Sequence, residues 1–91
     1  MNEIPTNRNQ LAGLMPVAEW LAESAGRVFP TPKSWEFFRK GHREELVREG
    51  ALFLGAGRRP DYVDANLIGA VVRDILRRES LERLGNAEVA A

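Results

Sequence analysis

Two adjacent arginines, Arg58 and Arg59, lie within the segment GALFLGAGRRPDYVDANL at residues 50–67, after a glycine-rich bend and before Pro60. Guanidinium groups are permanent cations that bind phosphate oxygens, and glycine lets a backbone approach a phosphate closely. The pair therefore predicts one of two roles, contact with the backbone of DNA or solvation of a hairpin tip. The sequence leaves both open.

Paired carboxylates and a histidine are the groups that could support catalysis. Glu44 and Glu45 form one pair, Asp61 and Asp64 form another, and His42 is the single histidine. General acid–base catalysis needs such groups to converge in a pocket, whereas these spacings put one member of each pair toward solvent. We expect His42, beside Gly41, to be a cap or surface residue. No GxxxxGK[ST] phosphate loop occurs. We predict no enzymatic activity, and with no cysteine we predict no metal or other cofactor.

Composition limits the class of protein. The 91 residues suggest one domain, and no apolar run approaches the roughly 20 residues that span a bilayer. The N-terminal sequence MNEIPTNRNQ has no signal-peptide pattern, so we expect a cytoplasmic protein. The net charge of zero argues against a nonspecific packager of nucleic acid. Residues 27–59 nevertheless carry eight cations against four carboxylates, which predicts one basic face.

Proline and glycine mark the helices in the first half of the chain. Residues 1–13 are predicted to form a flexible arm. A first helix is predicted to begin at Pro16 and to end at Gly26. Thr31 is the expected N-cap of a second helix with Pro32 at its first position. Gly41 is expected to break that helix, and a third, short helix then buries Leu46 and Val47 and stops at Gly50.

The second half of the chain predicts a hairpin and a closing helix. Residues 51–54 and 61–63 alternate as short strands, with GAGRRP as the turn between them. Asp64 is expected to cap a last helix that ends at Gly85. The apolar stripe of that helix comprises Leu67, Ile68, Val71, Val72, Ile75 and Leu76, continuing in weaker phase through Leu81 and Leu84. The predicted domain is 14–84, and residues 85–91 read as a flexible tail.

Helical spacing assigns the two sides of the second helix. Trp35 and Phe38 lie on one side and are expected in the core. The outer surface then carries Lys33, Ser34, Phe37 and Lys40. We predict that Lys33, Ser34 and Phe37 contact bases, that Thr31 caps the helix and touches phosphate, and that Lys40, Arg43, Arg58 and Arg59 contact the backbone. Partial burial of Phe37 is the alternative. The fold class is mainly α with a small β-hairpin, and helix, turn, helix and basic-tipped hairpin in this order predict a winged helix-turn-helix.

The pattern VAEWLAESAG … FPTPKSWEFFRKG … GAGRRPDYVDANL resembles the excisionases, or recombination directionality factors, of phages and integrative elements. Their fold is related to the DNA-binding domain of mercury-resistance-type regulators. The resemblance covers roughly residues 14–76. In this chain HREELVREG is longer than the usual link between recognition helix and wing, and Pro60 after the arginines is unusual.

The resemblance implies a sequence-selective protein that binds and bends double-stranded DNA to direct excision, or that regulates transcription. An integrase or recombinase and self-association on DNA are the further partners that it implies. A different class of function remains open, because the C-terminal helix could instead pair with itself or with another protein. In that case the basic face would be incidental.

Overall fold

The structure is a computed structural model that describes the backbone of residues 11–90 and the side chains of residues 11–86. It is a mainly helical single domain with a small antiparallel sheet. After a short 3-10 turn, the elements are β1 (Leu14–Pro16), α1 (Val17–Trp20, continued by a π-helical turn over Leu21–Ala25), α2 (Pro32–Arg48), β2 (Leu52–Phe53), β3 (Tyr62–Asp64) and α3 (Ile68–Ala90). No helix in this part of the chain is long and apolar enough to cross a membrane.

The sheet has three strands, one more than the predicted hairpin. Its order is β1-β3-β2, with Met15 and Leu52 both paired to Val63. β1 was not predicted, because a proline such as Pro16 is typical of the first residue of a helix. Pro16 is extended instead (φ −59°, ψ 144°) and ends the strand as the N-cap of α1. Proline has no N–H to donate, so a strand end suits it.

Aromatic side chains from α1, α2 and the connection between them form one part of the core. Trp20, Phe29, Trp35 and Phe38 are all buried, and the ring centroids of Trp35 lie 5.2 Å from those of Trp20 and Phe29. Edge-to-face and tilted packing at these distances is favourable for aromatic rings. The predicted burial of Trp35 and Phe38 is confirmed.

α2 begins where the sequence predicts, and it ends where the predicted third helix stops. Thr31 is its N-cap and Pro32 its first residue, while Gly50 follows it with a left-handed φ of +77°. Gly50 and Ala51 donate to the carbonyls of Val47 and Leu46, which is the pattern of a glycine-terminated helix. The predicted break at Gly41 is confirmed one residue later, because His42 has non-helical dihedral angles (φ −129°, ψ 20°) and two helical segments meet there in a kink. Of the predicted buried pair, Leu46 is fully buried but Val47 is 38% exposed.

α3 begins later and extends further than predicted. Asp64 caps the turn over residues 65–67 rather than the helix itself, since its Oδ1 accepts from the Asn66 N–H at 2.8 Å. The helix then runs past Gly85 to Ala90, because an interior glycine costs a helix only about 1 kcal/mol. Ile68, Val72 and Ile75 are buried in the core, Val71 and Leu76 are half-buried, and Leu67, Leu81 and Leu84 are exposed.

Candidate functional site

The N-terminus of α2 is held by a reciprocal capping box. The Ser34 N–H donates to Thr31 Oγ1 at 3.1 Å, the Thr31 N–H donates to Ser34 Oγ at 3.2 Å, and Ser34 Oγ–H donates to the Thr31 carbonyl at 2.6 Å. Both hydroxyl groups are therefore engaged in fixing the start of the helix. The predicted capping role of Thr31 is confirmed, whereas the hydroxyl proton of Ser34 already has an acceptor within the chain.

The outward face of α2 carries cations around one aromatic ring. Lys33 and Lys40 are exposed, and Phe37 is 84% exposed. Their spacing places the three on the side opposite Trp35 and Phe38, as predicted, and the alternative of a partly buried Phe37 is wrong. An apolar ring this exposed is free to pack on a ligand, such as a thymine methyl group.

Two acidic residues of α2 are paired with arginines, so they reduce the positive charge of this face less than unpaired carboxylates would. Glu45 turns toward α3, where Arg78 donates to its two carboxylate oxygens at 2.9 and 2.7 Å. These hydrogen bonds hold the pKa of Glu45 below its ordinary value. Glu44 pairs with Arg48, which leaves that exposed pair neutral as a unit. Glu36 lines the same groove as Lys40 and Arg43.

The loop between β2 and β3, residues 54–61, will be called the wing loop. Its tip is a turn in which the Arg59 N–H donates to the Ala56 carbonyl at 3.0 Å, with Gly57 at a φ of +61°. A positive φ at this position is typical of turns that join antiparallel strands. Arg58 and Arg59 are exposed at the tip, and neither forms an ion pair with another of the described side chains, those of residues 11–86.

The base of the wing loop is attached to α2 by Asp61. Its Oδ2 accepts from Arg39 Nε at 2.7 Å, and its Oδ1 accepts from the Gly55 N–H at 2.9 Å. Neither Arg39 nor Asp61 was predicted in this role. The two residues are 22 positions apart, and no local pattern connects them.

An open groove of about 600 Å³ is lined by one side of α2, by Val17 and by Asp61 at the base of the wing loop. Cations outnumber carboxylates along it, and Trp35 and Val17 contribute apolar surface. Its charged lining residues are Arg39, Lys40, Arg43, Glu36 and Asp61. The lining of the groove is therefore weakly cationic.

His42 and the acidic side chains are the described groups that could bind a metal ion. Among the side chains of residues 11–86, no cluster of three or more His, Cys, Asp or Glu could hold a metal ion. Of the two roles predicted for His42, a cap or a surface residue, the surface position is wrong. His42 is half-buried, with its ring centroid 4.6 Å from that of Phe38 and its Nε2 2.8 Å from Glu79 Oε2.

Comparisons with protein-family models, with curated proteins and with solved structures found no match to this chain. Its function is therefore inferred from the charged surface formed by α2, the wing loop and the groove between them.

Proposed function

We propose that the chain is a winged helix-turn-helix protein that binds double-stranded DNA, with α2 as the recognition helix and the wing loop as the wing. The observation that carries the proposal is the arrangement of exposed cations on α2 and at the wing tip, with an open groove between α2 and the base of that wing. Recognition helices of this class enter the major groove, and wings contact the backbone or the minor groove.

Each part of the surface has a separate task in this proposal. Lys33 and Phe37, near the N-terminus of α2, contact base edges, where a lysine donates to guanine and an aromatic ring meets a thymine methyl group. Lys40, Arg43, Arg58 and Arg59 contact phosphates and supply affinity that is independent of sequence. Thr31 and Ser34 contribute to base recognition indirectly, because their capping box fixes the position at which α2 begins.

We further propose that the protein binds and bends DNA of a mobile element so that a recombinase excises it. This part rests on the resemblance of residues 14–76 to excisionases. The resemblance also supports a second function, in which the protein binds DNA to repress a promoter. The same DNA-binding surface would serve both functions.

A salt series of fluorescence anisotropy titrations tests the proposal. Cognate duplexes would first be selected from a random pool with the parent chain, and Lys33→Ala would then be compared with the parent on cognate and random duplexes. We expect a loss of about 1–3 kcal/mol on the cognate site and much less on random DNA. Arg43→Ala should weaken binding to both about equally and lower the magnitude of the salt slope by about 0.9.

The matched control is Arg73→Ala with Arg77→Ala, which removes exposed cations from α3 rather than from α2 or the wing. It should leave the cognate-to-random ratio unchanged. If the parent selects no duplex, or if Lys33→Ala keeps the full ratio, the assignment of α2 as recognition helix is wrong.

One observation favours a second candidate, a protein-interaction module that uses α3. Leu81 and Leu84 are 51% and 55% exposed on a helix that continues to Ala90. Sedimentation velocity of the parent and of Leu81→Ser with Leu84→Ser separates the two candidates. A parent dimer that dissociates in the variant, together with no DNA binding, would favour the interaction module.

A further inference from the structure

Asp61 connects three parts of the chain at the base of the wing loop. Its carboxylate contacts Arg39 of α2, with Oδ2 2.7 Å from both Nε and Nη2, and it also accepts from the Gly55 N–H. Its backbone carbonyl accepts from the Val17 N–H, at the start of α1, at 3.1 Å. Asp61 thus connects the wing loop to both α1 and α2.

The charge of Asp61 is unfavourable for the proposed binding of a polyanion. It lines the groove between α2 and the wing loop, where it neutralises Arg39, a cation that could otherwise contact phosphate. A surface that served affinity alone would leave Arg39 unpaired. The contribution of Asp61 is therefore geometric, because its two oxygens bind two groups that lie on different elements.

Close packing of the two arms of the wing loop supports this geometric role. A Cβ atom at Gly55 would overlap the backbone carbonyl oxygens of Arg59 and Pro60. The arm that carries Gly55 therefore lies directly against the arm that carries the arginines. Holding Gly55 through Asp61 also holds the segment from which Arg58 and Arg59 project.

We propose that Asp61 is a positioning residue that fixes the wing relative to α2, so that the wing arginines and the cations of α2 bind one duplex together. This inference rests on the proposed function. Fixing the wing before binding lowers the conformational entropy lost in the complex. Without the bridge, the wing arginines would remain present but would contribute less to binding.

The first test needs no DNA. In Asp61→Asn the side chain keeps a single acceptor oxygen, so it cannot serve both Gly55 and Arg39. Heteronuclear ¹⁵N NOE values of the Arg58 and Arg59 amides should fall in this variant relative to the parent. The matched control, Glu44→Gln, makes the same change in net charge but touches only the exposed pair with Arg48. Unchanged wing amides in Asp61→Asn would overturn the inference, even if the proposed function held.

The second test is a double-mutant comparison on a duplex that the parent binds. Arg58→Ala with Arg59→Ala is introduced into the parent, into Asp61→Asn and into Glu44→Gln, and the salt slope is measured for each. In the parent and in Glu44→Gln, the magnitude of the slope should fall by about 0.9 for each phosphate that the arginines had neutralised. In Asp61→Asn the fall should be less than half as large.

If removing the wing arginines lowered the magnitude of the salt slope equally in all three backgrounds, the wing would act independently of Asp61, and the inference would be overturned. If the parent binds no duplex, the proposed function is wrong, and the amide measurement still decides whether Asp61 fixes the wing. Should Asp61→Asn fail to fold, Arg39→Gln replaces it in both tests. That variant removes the ion pair with α2 and leaves the Gly55 hydrogen bond in place.

Discussion

His42 Nε2 lies 2.8 Å from Glu79 Oε2, and this contact joins the kink of α2 to α3. The imidazole ring also lies against Phe38, with centroids 4.6 Å apart. The kink therefore has a structural role, because it directs His42 between the aromatic core and a carboxylate of the neighbouring helix.

His42→Ala should lower the free energy of unfolding by about 1–2 kcal/mol, because it removes both the ring contact and the hydrogen bond. Urea denaturation followed by circular dichroism measures the change. Gly41→Ala is the control at the adjacent position, where an added Cβ meets no atom within 4 Å. It should raise stability by about 0.5–1 kcal/mol, since glycine is the poorer residue inside a helix. A His42→Ala variant as stable as the parent would contradict the structural role of the kink.

Trp35→Ala should cost about 3–5 kcal/mol, enough to unfold much of so small a domain. Trp35 is only 4% exposed and contacts the rings of Trp20, Phe29 and Phe38. Phe37→Ala provides a comparison on the same helix and should change stability by less than about 0.5 kcal/mol, because that ring is exposed. Thermal denaturation of the two variants should therefore differ widely. Equal melting temperatures would mean that the two aromatic residues are not on opposite faces of α2.

Gly55→Ala should destabilise the wing loop, because the new methyl group would overlap the carbonyl oxygens of Arg59 and Pro60. We expect a loss of about 1–3 kcal/mol in unfolding free energy. Gly57→Asn tests the turn separately. The space at Gly57 is open, and asparagine tolerates a left-handed φ, so the loss there should be below about 1 kcal/mol. If the two variants are equally stable, the two arms of the wing loop do not pack directly against each other.

Glu45 should titrate below the ordinary range of a glutamate because Arg78 donates two hydrogen bonds to its carboxylate. Because the pKa of Glu45 is lower in the folded than in the unfolded chain, its pair with Arg78 stabilises the fold at pH values above the unfolded-state pKa. This stability is lost as the pH falls through the folded-state pKa. In ¹³C NMR titrations, Arg78→Gln should raise the pKa of Glu45 toward the ordinary value. An identical titration midpoint in the parent and the variant would show that Arg78 does not hold the carboxylate.

Local chemistry made much of α2 predictable from the sequence. Thr31 and Pro32 signal a helix start within a few residues, and Gly50 signals a stop in the same way. The helical period then assigns Trp35 inward and Phe37 outward. These features were predictable because the interacting groups are close in sequence.

Three features that the sequence did not reveal depend on residues far apart in the chain. Leu14 pairs with Asp64 in the sheet, Arg39 contacts Asp61, and His42 contacts Glu79. No period or motif connects such positions, so β1, the bridge at the wing and the burial of His42 emerged only from the structure. The exposed cations of the candidate site were predictable, but the residue that orients the wing was not.

The pairing of β1 with β3 also constrains how the chain folds during synthesis. β1 is synthesised before its partner, Tyr62–Asp64, which follows only after both α1 and α2. Closing so long a loop is entropically costly and slows folding relative to the formation of local helices. We expect the nascent helices to form early, while the buried side chain of Val63 completes the sheet only once most of the chain has been made. Interrupting translation before Tyr62 would leave both outer strands without the central strand that joins them.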